Sequence, residues 1–184
     1  MRILGISGSL RRGSHNRRLL RAAGALLPSG VELVEWDGLA GLPAFDEDLE
    51  DAPPAAVLAF YEAIEEADAL LIATPEYNAS LPGALKNAID WASRPFPENV
   101  LRYKPVAVIG ASTGLFGAVW AQAELRKTLK ASGAHVLESE LPVGMADSAF
   151  VEGADALADP ELTQRLQDVL GDLVREVKAP VEAQ

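Results

Sequence analysis

The chain has 184 residues, 49% of them hydrophobic, and carries 16 Lys+Arg against 27 Asp+Glu for a net charge of -11. That is enough apolar chain for one domain with a sizeable core, and the acidic balance argues against nucleic acid or an anionic membrane as partner. There is no cysteine, so disulfides, thiolate metal sites and cysteine nucleophiles are excluded, and no metal is expected.

Strand and helix patterns alternate along the chain. The apolar run Ile3 to Ile6 predicts a buried parallel strand. A loop, G-S-L-R-R-G-S from Gly8 to Ser14, leads into a helix predicted over 16–27 and ended by Pro28 and Gly30. Val31 to Trp36 alternates and suits a strand with one wet side. The acidic, proline-bearing stretch 39–54 is long enough to suggest a binding or subunit-contact role. A helix over 54–66, a buried strand over 69–73 and the loop T-P-E-Y-N-A-S follow. The helix predicted over 82–92 has Leu81, Leu85, Ile89 and Ala92 on one face. Pro105 to Gly110 predicts another buried strand, then come a loop A-S-T-G, a helix over 117–131 and a short strand over 136–140. A second irregular stretch, 142–159, precedes a closing helix over 160–178, and residues 179–184 are expected to fray. The few apolar residues before Ser7 do not resemble a signal peptide, and no run approaches the roughly 20 residues of a membrane span, so a cytoplasmic location is expected.

Five strands separated by five helices imply an α/β fold. Right-handed crossovers make it a doubly wound parallel sheet with helices on both faces, three layers in a single domain over 1–178. Ligands of such sheets sit beyond the carboxyl ends of the strands, at the switch in strand order. The loops 7–16, 74–80 and 111–117 all leave carboxyl ends and can share one ligand there.

The first loop can leave helix-start amides pointing at an anion, with Gly8 and Gly13 allowing close approach and Ser9, Ser14 and Asn16 adding donors. Two familiar cradles fail. Ser14 stands where a P-loop needs lysine, and Gly5, Gly8 and Gly13 miss the dinucleotide spacing. Residues 1–31 hold six arginines and no acid, whereas 32–76 hold thirteen acids and no base, so the arginines can focus field on one anionic ligand. For Arg18 and Arg21 a solvated helix face is the preferred reading. A serine-capped helix after a surface turn is the structural alternative for the whole loop.

G-S-L-R-x-x-S-x-N at Gly8 to Asn16, P-E-Y-N at Pro75 to Asn78, and L-P-G-A-L-K-N-A-I-D-W-A-S-R-P at Leu81 to Pro95 resemble the NADPH-dependent FMN reductase family, the flavodoxin-like group that includes chromate and quinone reductases. Similarity runs on through L-P-A-F-D-E-D-L and the late P-V-G-x-A-x-x-A-F. The resemblance implies a flavodoxin-like sheet of order 2-1-3-4-5, bound FMN, NADPH or NADH as co-substrate, a small-molecule electron acceptor, and a homodimer or homotetramer. Position by position, Ser9, Arg11, Ser14 and Asn16 would bind the FMN phosphate. Pro75, Glu76, Tyr77 and Asn78 would wrap the isoalloxazine, and Ser112, Thr113 and Gly114 would form the third flavin loop. No catalytic side chain is implied, since the chemistry lies on FMN N5; Glu76 is read as backbone geometry or subunit contact. After the third flavin loop, where the family often has a glycine-rich G-x-x-G-G, this chain has Leu115, Phe116, Gly117 and Ala118. Contacts between subunits are implied around the 82–92 helix and the acidic loop 44–49, with Trp91 and Phe96 as the apolar patch; packing of both inside their own subunit is the alternative.

Three rival readings share parts of this pattern. Gly110 to Gly114 matches the G-x-S-x-G nucleophile elbow, but a triad needs histidine; His135 is expected at the opposite sheet edge and His15 at a solvent-facing helix start. A flavodoxin-type carrier would sandwich its flavin between aromatics, and the three loops offer only Tyr77 and Phe116. A response-regulator receiver lacks its acidic pair.

Overall fold

The structure, a computed structural model, describes residues 1–179. Five parallel strands, β1 (Arg2–Ser7), β2 (Glu32–Trp36), β3 (Ala69–Thr74), β4 (Pro105–Ala111) and β5 (His135–Val143), form one sheet in the order β2-β1-β3-β4-β5. This is the flavodoxin-like order expected. Five α-helices lie between or after them: α1 (His15–Leu26), α2 (Ala55–Glu65), α3 (Gly83–Ala92), α4 (Val119–Ala131) and α5 (Pro160–Lys178).

Alternation along the strands divides the core. Ile3, Leu71, Ala107 and Ile109 face α1 and α5, where Leu19, Leu20, Leu166, Leu170 and Leu173 meet them. Leu4, Ile6, Leu70, Ile72, Val106 and Val108 face the other way, onto Phe60, Ile64, Leu85, Ile89, Leu125 and Leu129 of α2, α3 and α4. Burying each Leu or Ile contributes about 1.5–3 kcal/mol. That burial on both faces is why β3 and β4 read as unbroken apolar runs.

Most differences from expectation lie at element ends. The largest is β5, which continues three residues past the predicted Glu140 and runs through Pro142, paired with Gly110. β5 is an edge strand, so its proline breaks no ladder on the outer side. The helix predicted over 16–27 runs from His15 to Leu26. Of the tail predicted over 179–184, residues 180–184 lie outside the described residues.

Candidate functional site

All five strands point the same way, so the loops after β1, β3 and β4 open on one edge, with β1 and β3 flanking the switch point. They are sewn together by the chain itself. The Gly8 amide donates to the Ala73 carbonyl at 2.8 Å, and a Cβ at Gly8 would stand 2.9 Å from Leu85 Cδ2 and 3.2 Å from Pro75 Cδ. Only glycine lets the first loop pack this closely on the second. The first and third loops are joined through Asn16, whose Nδ2 donates to the Ala111 carbonyl and whose Oδ1 accepts from the Ala111 amide, both at 2.9 Å.

The first loop has the features of an anion cradle. Ser14 caps α1, its Oγ accepting from the Arg17 amide at 3.2 Å, so the capped-helix reading holds as well. Among the described residues, however, no acceptor meets the amides of Gly13, His15 and Asn16. These donors lie at the positive end of the α1 dipole. Ser9, Ser14 and Asn16 are buried, while Arg11 is exposed. Most of the arginine island is spoken for: Arg2 pairs with Glu66, Arg17 and Arg21 with Glu35, and Arg18 and Arg21 with Asp155. The Glu35 hydrogen bond and charge, then Asp155, raise the Arg21 pKa above its ordinary value. Arg11 and Arg12 alone of the six arginines in 1–31 have no ion pair among the described residues.

Two expectations about α1 are corrected. Arg18 is no solvated-face residue: its guanidinium lies 4.4 Å over the Phe150 ring and donates to the carbonyls of Val151 and Ala154, fastening the irregular stretch after β5. His15 is not solvent-facing either; its ring stacks on Phe150 and its Nε2 lies 3.1 Å from Asp147 Oδ1. Both partners come from the late stretch, whose approach to α1 has no local sequence signal.

In the second loop Pro75 is buried, while Tyr77 and Asn78 are exposed. Tyr77 and Ser80 exchange backbone hydrogen bonds of 3.0 and 3.1 Å, and Asn78 and Ala79 between them have φ of 53° and 60°. Two left-handed residues in a row make a mirror-image tight turn. Ser80 does not cap the next helix, which starts after Pro82 without a side-chain cap; its Oγ donates to Glu124 of α4 at 2.5 Å.

The third loop is tied to the stretch after β5. Ser112 donates its amide to Val143, and its carbonyl accepts from Ala146; the Gly114 carbonyl accepts from Met145. Thr113 and Gly114 are exposed on the same edge. The apolar lip there consists of Leu115, Phe116, Trp120 and Met145, all more than half exposed, with Phe116 and Trp120 edge to face at 5.2 Å. Trp120 and Met145 were not predicted as site residues: each falls where a helix or irregular stretch was expected, with nothing local to show which edge it faces. The elbow reading loses His135 on position. Ala111 pairs with Val143 but His135 pairs with Pro105 at the far end of the same ladder, which puts roughly 20 Å between His135 and Ser112.

The NADPH-dependent FMN reductase family model matches residues 1–148. A Pseudomonas aeruginosa protein named NAD(P)H-dependent FMN reductase is 45% identical over 172 residues, 92% of this chain and 91% of its own. The chain belongs to the NADPH-dependent FMN reductase family. A Burkholderia 2-hydroxy-1,4-benzoquinone reductase is 45% identical over 126 residues, 68% of each chain. Among solved structures, a flavoenzyme NAD(P)H:(acceptor) oxidoreductase from Paracoccus denitrificans superposes with TM-score 0.84 at 34% identity, covering 96% of this chain and 97% of its own.

The geometry of this chain fits the group its family is named for. Among the described residues, donor amides without partners lie at a helix start beside two arginines without ion pairs, and an exposed turn and an apolar lip stand on the same edge. The glycine pair of the family's G-x-x-G-G also gains a reason: Gly117 and Ala118 both have positive φ, 60° and 62°. Alanine occupies the second place in a conformation that costs a Cβ-bearing residue about 1–2 kcal/mol.

Proposed function

We propose that the chain is a single-domain NAD(P)H oxidoreductase that holds FMN at the carboxyl edge of its sheet and passes electrons to quinones. When bound, FMN would supply a two-electron centre for hydride transfer. The protein's part is to bind and orient. The free amides of Gly13, His15 and Asn16, with Ser9, Ser14 and Arg11, hold the phosphate; Pro75, Glu76, Tyr77 and Asn78 border the ring; Ser112, Thr113 and Gly114 close the remaining side. No side chain of these loops is needed as an acid or base in hydride transfer.

The observation that carries this reading is the convergence of an anion-ready helix start and an exposed apolar lip on one edge, in a chain whose relatives are named as FMN and quinone reductases. An open mouth lets the nicotinamide leave before the acceptor enters, so the two substrates use one site in turn. Free flavin, azo compounds and chromate are further acceptors such a mouth admits. Purified protein is expected to show a flavin visible spectrum that bleaches on anaerobic addition of NAD(P)H, with parallel double-reciprocal lines in steady-state quinone reduction. A colourless protein that binds no flavin would remove the reading. Activity that survives Ser112→Ala separates it from a serine hydrolase.

We further propose a homodimer or homotetramer in the cytoplasm, with active-site mouths near the subunit contact.

A further inference from the structure

Helix α4 begins without a cap of its own. Gly117 and Ala118 precede it in left-handed conformation, not the extended form from which an N-cap side chain reaches the second and third amides. Ala118 also has no side-chain oxygen to offer. The amides of Trp120 and Ala121 donate instead to Glu76, whose Oε2 accepts both, at 3.0 and 3.1 Å, from 44 and 45 residues away in sequence. A carboxylate there satisfies two orphan donors and complements the helix dipole.

Glu76 belongs to the second loop, and so does Ser80, which bonds Glu124 one turn further along α4. Both ends of the 76–80 turn are therefore tied to one helix. Between the ties lie Asn78 and Ala79, left-handed residues of a kind that persists only where the surroundings hold it. The first loop is tied elsewhere, to Ala73 and Ala111.

We infer that Glu76 is a positioning residue: its carboxylate locks the Tyr77 turn onto the start of α4 and so sets the ring side of the flavin site, leaving the phosphate side alone. The turn and the Phe116–Trp120 lip then move as one body. This rests on the flavin-binding reading above.

The test compares wild type, Glu76→Gln and Glu76→Ala, measuring FMN and riboflavin dissociation constants by fluorescence quenching and deuterium uptake in the flavin-free protein. Glu76→Ala is expected to weaken FMN and riboflavin by the same factor, about tenfold, which is about 1.4 kcal/mol at 25 °C. It should also speed exchange in peptides spanning 74–81 and 115–124, although only the first contains the substitution. Glu76→Gln keeps an acceptor oxygen and is expected to restore most of both. Should the alanine variant fail to fold, Glu76→Asp, one methylene short of α4, carries the same paired expectation. Lowered thermal stability with both affinities unchanged would make Glu76 a mere cap, and loss for FMN alone would place it on the phosphate side; either overturns the inference while leaving the flavin reading intact. A wild type that binds neither flavin overturns both.

Discussion

Asn16 and Ala111 hold each other across 95 residues through two buried hydrogen bonds of 2.9 Å, one in each direction. The pair clamps the first loop to the end of β4. Asn16→Ala would leave a buried N–H and a buried C=O unpaired, each costing about 1–3 kcal/mol. The variant is expected to unfold at lower urea, by about 2–6 kcal/mol in total, and to lose affinity for riboflavin as well as FMN because the loops part. Unchanged stability with loss of FMN alone would return Asn16 to a purely phosphate-binding role.

The cleaner probe of the phosphate is Arg11 with Arg12, the residues of the arginine island without ion pairs among the described residues. Replacing both by alanine removes no packing, since both are exposed. FMN affinity is expected to fall at least about tenfold at low salt with riboflavin affinity unchanged, and the gap should narrow as salt screens the exposed charges. Equal losses for the two flavins would place the phosphate away from this loop.

The sheet was legible because its signals are local. Apolar runs bounded by turns marked β1, β3 and β4, and the strand order followed from the family motifs. That the loops after β1, β3 and β4 share one edge followed too, since the carboxyl end of each parallel strand is known once the strand is. Side-chain partners across the chain were not legible. Glu76 reads as backbone geometry or subunit contact, and its tie to the amides of Trp120 and Ala121 was not legible because backbone donors carry no sequence signal. Arg18 and His15 looked wet because a helix wheel cannot show that the stretch after β5 folds back over α1. Pro142 looked like the end of a strand because edge position is a property of the assembled sheet.

Alkaline stability should depend on Tyr61. Its hydroxyl donates to the Trp91 carbonyl at 2.7 Å, and burial, then the Glu50 charge, push its pKa above the ordinary 10.0. The folded state therefore holds the phenolic proton where the unfolded chain releases it. Stability is fully present below the unfolded value and falls as pH rises through the folded one. Lys104 acts with the opposite sign: burial lowers its pKa below 10.5 against the pull of Asp68 and Glu65, so stability rises with pH between the lowered value and 10.5. Denaturant titrations at several alkaline pH values should show Tyr61→Phe losing the fall, with a cost of about 1 kcal/mol at neutral pH for the missing hydrogen bond. Lys104→Met should lose the rise.

Assembly must be probed away from Trp91. Sequence placed that residue in an exposed patch, but its side chain is fully buried in its own chain, its Nε1 donating to the Pro43 carbonyl at 2.9 Å and its ring edge to face with Phe45 at 5.0 Å. Trp91→Glu would unfold the subunit, and even Trp91→Ala should cost about 3–5 kcal/mol, so neither reports on a contact. Phe96 is different: it is 68% exposed just beyond α3, where the expected contact surface lay. Leu49 of the acidic loop is also exposed, as are Phe116 and Trp120 at the site's lip. Apolar side chains this exposed on so acidic a chain favour a two-fold partner that covers them. Sedimentation at micromolar concentration is expected to show a dimer or tetramer, and Phe96→Glu to shift it toward monomer with the melting temperature of the separated subunit little changed. If the contact also shapes the mouths, that variant loses FMN affinity in step with dissociation. A wild-type monomer with full reductase activity would sink the shared-site proposal.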